Sequence, residues 1–426
     1  MIKGHEERRE LNKMAKHTRD ELTLWQSLPL EVKIRMTEER IKGWINHYGQ
    51  EGVYVSFSGG KDSTVLLDIV RNRLKYTKVP AVFVDVPTQY PELKEFAQRE
   101  SNLEILKPRI SFMQVCEKYG FPLISKEVAD TVHEAKRYFE RVIEQNTIPD
   151  RQTDRQTVMG YWAFADIIGL QRRQENKDSK EYQMLKSGSI PNFDELYRYC
   201  EENDIKINTR VQILFGKLLH KENGVLTDEY SRQYDKHKYK FFLESPFSIS
   251  GQCCRTMKKT PVHNYEKQTG RVPITGQMAD ESELRRSQWL KNGCNGFQLN
   301  HPISNPLSFW TEQDILEYII KYDIEICSVY GDIVEDYREQ LDGQMHLADY
   351  GLAEKKRYFK CTGCQRTGCM LCGFGAHLEK SPNRFEMLKE THPKMYALLD
   401  VVSNNGYTMR QAIEWTNEHG NFDIKL

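Results

Sequence analysis

Six consecutive residues, Ser58-Gly59-Gly60-Lys61-Asp62-Ser63, have the composition of an anion seat. The paired glycines let the backbone approach a ligand closely and take turn dihedrals that a side chain would penalise. Successive N–H groups can then converge on one set of oxygens. Ser58 and Ser63 add hydroxyl donors, Lys61 adds a point charge, and Asp62 adds a carboxylate suited to orienting the loop or holding Mg2+. Phosphate is the expected guest. The string differs from a Walker loop, which places its Lys-Ser/Thr after a longer Gly-rich run. Ser56 and Asp85 complete the candidate nucleotide contacts, Asp85 as a carboxylate for ribose, adenine or a metal.

Thiols supply a second chemistry. Cys253 and Cys254 are adjacent, and Cys361, Cys364, Cys369 and Cys372 crowd one segment as two Cys-x-x-Cys pairs. Thiolates suit iron–sulfur clusters or zinc, and the two pairs offer a four-thiolate zinc knuckle within one loop. Cys361 and Cys364 are otherwise open to a redox, second-metal or persulfide role. Cys116, Cys200, Cys294 and Cys327 are scattered and read as small buried hydrophobes.

The elements that must position these groups follow from the hydropathy pattern. Val53 to Phe57 is a β-rich run that enters the Gly-rich turn, and Thr64 to Val70 is the helix that leaves it. Such a strand–loop–helix aims the positive helix end at the anion. Further strands are expected at Ala81–Asp85, Leu103–Leu106 and Val272–Thr275, so strand and helix alternate and a parallel sheet with helices on its faces is expected. Asp85 then stands at a strand's carboxyl end, the side that faces a ligand crevice. A helix is expected after Thr311, which has N-cap chemistry and acidic residues behind it. The composition divides the chain into an N-terminal helical arm (1–49), a nucleotide-binding α/β domain (50–129 and 245–330), a mostly helical insertion (130–244) and a Cys-rich, helical C-terminal region (331–426).

The charge balance narrows the class of partner. Lys and Arg number 61 and so do Asp and Glu, so a globally basic nucleic-acid binder is not indicated. Local excesses stand out instead. Arg255, Lys258, Lys259, Lys267, Arg271, Arg285, Arg286 and Lys291 outnumber the acidic residues between them, which suits an anionic substrate. A second patch, Lys355-Lys356-Arg357-Tyr358-Phe359-Lys360 with Arg366, mixes charge with aromatics in a way suited to a nucleic acid. No stretch approaches the roughly 20 apolar residues that cross a bilayer, so a cytoplasmic protein without membrane partners is expected, with its cysteines reduced.

Ser58-Gly59-Gly60-Lys61-Asp62-Ser63 resembles the loop of N-type (PP-loop) ATP pyrophosphatases, the adenine nucleotide alpha-hydrolase group that includes tRNA thiolation enzymes and phosphoadenylyl-sulfate (PAPS) reductases. The resemblance implies an α/β, parallel doubly wound sheet of HUP type with a helical insertion and a Cys-rich C-terminal segment. It also implies an adenine nucleotide as ligand, ATP with Mg2+ in the relatives that release pyrophosphate. Cys253-Cys254-Arg255-Thr256-Met257-Lys258-Lys259-Thr260-Pro261 resembles the segment that, with a later Cys-x-x-Cys, holds a [4Fe-4S] cluster in assimilatory adenylyl-sulfate reductases. Carried over, the ligands are Cys253, Cys254, Cys369 and Cys372, with zinc as the alternative metal. Thr275-Gly276-Gln277-Met278-Ala279-Asp280-Glu281-Ser282, followed by Arg285-Arg286, is similar to the reductases' substrate loop, which makes both arginines candidates for phosphate or sulfate contacts. Thr88-Gln89-Tyr90-Pro91-Glu92 departs from the reductases' Asp-Thr-Gly-x-x-Pro-Glu turn.

Three functions are open at this level. An intact loop, with Lys61 and Asp62 in catalytic roles beside Arg285 and Arg286, fits an ATP pyrophosphatase that adenylylates a substrate, coupled to iron–sulfur-assisted sulfur chemistry. Its partners would be a nucleic acid or other sulfur acceptor and an electron or sulfur donor protein. A PAPS or adenylyl-sulfate reductase is the alternative; those enzymes place a cysteine in a C-terminal Glu-Cys-Gly-x-His, where residues 417–421 here read Asn-Glu-His-Gly-Asn. A non-catalytic nucleotide sensor is the third. Substrate choice is expected to reside in the 130–244 insertion.

Overall fold

A computed structural model of the chain describes residues 16–147, 193–202, 204–222, 225–336, 357–365 and 367–426. Two compact units divide it, residues 1–108 with 260–369 and residues 109–259 with 370–426. The division follows the packing of the chain, whereas composition shifts near 129, 244 and 330. Leu123–Ile124, for example, pairs in parallel with Gly373–Phe374, which draws the residues after 108 into the second unit.

In the first unit, helices α1 (Arg19–Ser27) and α2 (Leu30–Tyr48) precede β1 (Val53–Ser56), α3 (Lys61–Asp68), β2 (Ala81–Val84), α4 (Pro91–Ala97) and β3 (Leu103–Leu106). The chain returns with α5 (Thr260–Thr269), β4 (Val272–Thr275), α6 (Glu283–Asn292), β5 (Asn295–Gly296), β6 (Ile303–Ser304) and α7 (Glu312–Tyr322). It closes with β7 (Ile333–Glu335) and β8 (Phe359–Cys361), an antiparallel pair. The main sheet runs β3-β2-β1-β4-β6-β5. All its pairings are parallel except β5 with β6 at the edge. The strands expected from sequence form this α/β sheet; the edge strands β5 and β6 are too short for a periodicity argument to find.

Side chains alternate across β1 with period two. Val53 and Val55 enter the main core with Ile34, Ile41 and Trp44 of α2, Val65 and Leu66 of α3, and Ile315 and Leu316 of α7. Tyr54 points the other way and packs with Val82 and with Tyr265 of α5. Both faces are therefore covered by helices, as a parallel sheet requires. Strand order reverses between β1 and β4, so the switch point where such sheets bind ligands lies between those strands' carboxyl ends.

Among its described residues the second unit combines helices with a short hairpin. Lys126–Thr147, Phe193–Glu202 and Thr209–Leu214 are helices, but Leu219–Glu222 and Val225–Tyr230 form an antiparallel hairpin. Residues 148–192 of the insertion, including Tyr161 to Phe164 and Arg172-Arg173, lie outside the described residues. Among the described residues no helix is long and apolar enough to cross a membrane.

One buried ion pair fixes α7 in the first unit. Lys33 of α2 donates to both carboxylate oxygens of Asp314 at 2.7 Å, with the lysine side chain 2% exposed. Asp314 also accepts from the backbone N–H and hydroxyl of Thr311, the N-cap of α7. Removing one member strands the other charge in the core. Asp314→Ala should therefore lower stability by about 3–5 kcal/mol in urea denaturation, and the apolar double variant Lys33→Met/Asp314→Leu should recover most of it. A loss below about 1 kcal/mol for Asp314→Ala would contradict this role.

Candidate functional site

The loop between β1 and α3 lies at the switch point. Gly59 has φ +73°, and a Cβ there would stand 3.0 Å from the Leu93 carbonyl oxygen, so both conformation and space select glycine. Gly276, immediately after β4, abuts the other side: a Cβ on it would stand 3.0 Å from the Asp62 carbonyl oxygen and 3.4 Å from the Ser63 nitrogen. The Thr275-Gly276 step thus packs on the start of α3, which positions the loop from the neighbouring strand.

Within the loop the serines bond to each other and to the backbone. The Ser58 N–H donates to Ser63 Oγ at 3.2 Å, Ser58 Oγ and Ser63 Oγ lie 3.1 Å apart, and the Gly60 N–H donates to Ser58 Oγ at 3.2 Å. Ser63 Oγ and Thr64 Oγ1 both donate to the Gly60 carbonyl. Ser56 ends β1 and pairs in register with Val82 and Thr275. These bonds hold the turn in shape ahead of any ligand.

Lys61 is 4% exposed. Its ammonium lies 3.1 Å from Glu312 Oε1 and 3.8 Å from Asp62 Oδ1, donates to the Gln365 carbonyl at 3.2 Å, and sits 5.4 Å from the centre of the Tyr330 ring. Burial alone would lower its pKa, but Asp62, Tyr330 and Glu312 together hold it above the ordinary lysine value. The amine therefore stays charged at neutral pH, as phosphate binding requires. Tyr330 meets the loop a second time: its hydroxyl accepts from the Lys61 backbone N–H at 3.2 Å and lies 3.0 Å from Thr367 Oγ1. Glu312, Tyr330, Gln365 and Thr367 were not anticipated from sequence. They lie roughly 250–300 positions beyond the loop, and no short-range spacing marks them.

The other expected residues are placed as follows. Asp85 stands just past the carboxyl end of β2 and pairs with Lys94 of α4 at 2.8 Å. Arg285 pairs with Glu281, and Arg286 with Glu283 at 2.9 Å, at the start of α6. Glu283 also holds Arg19 at 2.8 Å, so the charge excess in this segment is partly met locally. In the second basic patch, Arg357 pairs with Glu335 and Lys360 with Asp336; Lys355, Lys356 and Arg366 lie outside the described residues.

All ten cysteines are free thiols. Cys369 forms a backbone bridge with Gln89 in the first unit, while Cys253, Cys254 and Cys372 belong to the second. The thiol of Cys254 is lowered to about 6, first by its hydrogen bond with Cys253 and then by Lys258, Lys126 and Lys259, against the opposing effect of burial. That is thiolate chemistry suited to a soft metal. Burial and Cys372 push the Cys116 thiol up. Among the described residues, however, no group of three or more Cys, His, Asp or Glu side chains is placed to hold a metal ion. The geometry thus supplies a metal-compatible pair without an assembled set, and no chemical step is derived through a metal cluster.

Comparison with known families adds one finding. A family model described as the phosphoadenosine phosphosulfate reductase domain matches residues 52–190 and 188–373, spans that include the loop, α7 and the Cys361–Cys372 segment. No curated protein matches the chain. Among solved structures, the phosphoadenylyl-sulfate (PAPS) reductase of Candida auris, in a phosphate complex, is 11% identical, with a TM-score of 0.29; the match covers 74% of this chain and 92% of that one.

Proposed function

The chain belongs to the phosphoadenosine phosphosulfate reductase domain family, and from that premise we propose that it cleaves ATP to AMP and pyrophosphate in order to adenylylate a substrate. The coarser statement, a nucleotide-binding enzyme of PP-loop type, follows from the family itself. The observation that carries this reading is Lys61: a buried ammonium held by Glu312, Asp62 and the Gln365 carbonyl in an intact Ser-Gly-Gly-Lys-Asp-Ser loop between a strand and a helix.

In this reading the loop's backbone N–H groups and the N-terminal end of α3 receive the phosphates. Lys61 exchanges Glu312 and the Gln365 carbonyl for phosphate oxygens and stabilises the charge that grows on the α-phosphate and the departing pyrophosphate. Asp62 is the carboxylate that would hold Mg2+, whose charge would offset that of the leaving group. Asp85, at the crevice edge, is available to ribose or adenine if its pair with Lys94 opens. Arg285 and Arg286 are proposed for a second anionic group, at the expense of their present carboxylate partners.

The sulfur chemistry belongs to the same proposal. The acceptor is a nucleic acid or another sulfur-accepting molecule, with an electron or sulfur donor protein as partner and a [4Fe-4S] cluster on Cys253, Cys254, Cys369 and Cys372. The lowered Cys254 thiol is what supports the cluster. The family's own description favours the second reading, reduction of a phosphoadenylyl or adenylyl sulfate. A nucleotide sensor would bind ATP tightly without turnover.

Incubation with ATP and, in parallel, with adenylyl sulfates, assaying pyrophosphate and sulfite, separates these readings. The expected result is pyrophosphate from ATP, reduced at least about 100-fold in Lys61→Ala and Asp62→Ala variants that melt like the wild type. Sulfite without pyrophosphate would replace this reading with the reductase. Protein purified without oxygen should be brown and contain iron and acid-labile sulfide, both lost in Cys253→Ala/Cys254→Ala; colourless, zinc-containing protein would point to the Cys361, Cys364, Cys369 and Cys372 knuckle instead.

A further inference from the structure

Beside the nucleotide loop runs a segment from a distant part of the first unit. After β8 the chain turns at Cys361, whose carbonyl accepts from Gln365 Nε2 at 2.8 Å. The Gly363 N–H bonds to the Tyr330 carbonyl and the Cys364 N–H to the Val329 carbonyl, each at 2.8 Å. Gln365 then receives the Lys61 ammonium, Thr367 meets the Tyr330 hydroxyl, and Cys369 bridges Gln89 beyond β2. The described residues of this segment, among them Gln365 and Thr367, are therefore fixed alongside the loop.

The tyrosine that the segment holds is placed unlike an ordinary core aromatic. Its ring is buried in the main hydrophobic cluster, so the side chain has little freedom to swing away. Its oxygen sits against the Lys61 N–H, the first amide of α3, and only 3.1 Å from where a Cβ on Gly60 would be. That is the place where a phosphate oxygen on this loop would find its donors. The phenolic oxygen accepts one hydrogen bond from the amide; when Thr367 Oγ1, 3.0 Å away, is the donor of their pair, the phenol keeps its own proton for donation. Burial raises the hydroxyl above the ordinary tyrosine value, against the lowering effect of Thr367 and the Lys61 amide, so the proton is present at neutral pH. An anion that enters must then either take this proton in a hydrogen bond or collide with a group that cannot easily leave.

We propose that Tyr330 is a phosphate-contacting residue of this site, donating its hydroxyl proton to the anion on the loop, and that Thr367 is the positioning residue that aims it. The inference rests on the reading of Ser58–Ser63 as a nucleotide loop and adds to it a contact from outside the motif. A tyrosine that only fills the core and caps α3 would support stability without discriminating among ligands.

Calorimetric titration of the full chain with inorganic pyrophosphate and with ATP tests this. Tyr330→Phe keeps the ring and removes the hydroxyl, and it should weaken pyrophosphate binding by about tenfold or more, the usual effect of losing a hydrogen bond to a charged group. Thr367→Val should weaken it by a smaller factor, and Thr367→Ser should restore wild-type affinity, which a purely structural role would not produce. Unchanged or tighter binding in Tyr330→Phe overturns the inference. Should that variant fail to fold, the Thr367 pair decides: loss in valine with recovery in serine supports it, and equal binding overturns it. Lys61→Ala separates the two levels. If Lys61→Ala loses pyrophosphate and Tyr330→Phe does not, the Tyr330 contact fails while the loop reading stands; if the wild type binds neither pyrophosphate nor ATP, both fail.

Discussion

The organising constraint in the first unit is a buried ammonium that has to stay charged. Taking a lysine amine out of water costs several kcal/mol unless fixed partners replace its hydration. Lys61 obtains them from separate stretches of chain: Asp62 beside it, Glu312 at the head of α7, the Tyr330 ring, and the Gln365 carbonyl. Each of those stretches must be in place for the loop to be competent. The Lys33–Asp314 pair that holds α7 therefore supports the site indirectly, because Glu312 lies two residues before Asp314 in the same helix turn. A phosphate can replace some of these partners without any change in the charge of the amine.

The sheet supplies the other half of the arrangement. Strand order reverses between β1 and β4, the position where sheets of this topology bind ligands, and both strands run straight into glycine-containing turns. Gly59 takes a conformation and a clearance that other residues cannot share, while Gly276 lets the turn after β4 press against the start of α3. The Ile-Thr-Gly that resembles a substrate loop in the sequence therefore has a mechanical part here as well, since it buttresses the nucleotide loop.

Much of this was legible in the sequence because it is local. The Ser-Gly-Gly-Lys-Asp-Ser string, the β-branched run before it and the Thr311 N-cap each carry their signal within a few residues, and the structure has the corresponding strand, loop and helices. The partners of Lys61 were not legible, because tertiary folding alone brings residues 312, 330, 365 and 367 to residue 61. Strands Leu219–Glu222 and Val225–Tyr230 are hard to read from sequence because their polar composition hides the period-two pattern. The cysteines divide in the same way: adjacency made Cys253-Cys254 readable as half of a metal-binding set, whereas the packing assigns Cys369 and Cys372, three positions apart, to different units.

The central claim is that an anion seat, with Lys61 as its charge, lies at the switch point between β1 and β4. The most direct test is a crystal structure of the full chain with an ATP analogue whose α,β-bridging oxygen is replaced by methylene. The account predicts phosphates seated on the loop at residues 58–63, with the Lys61 ammonium moved from Glu312 and Gln365 onto a phosphate oxygen. Phosphates bound elsewhere, with Lys61 still on Glu312 and Gln365, would contradict it.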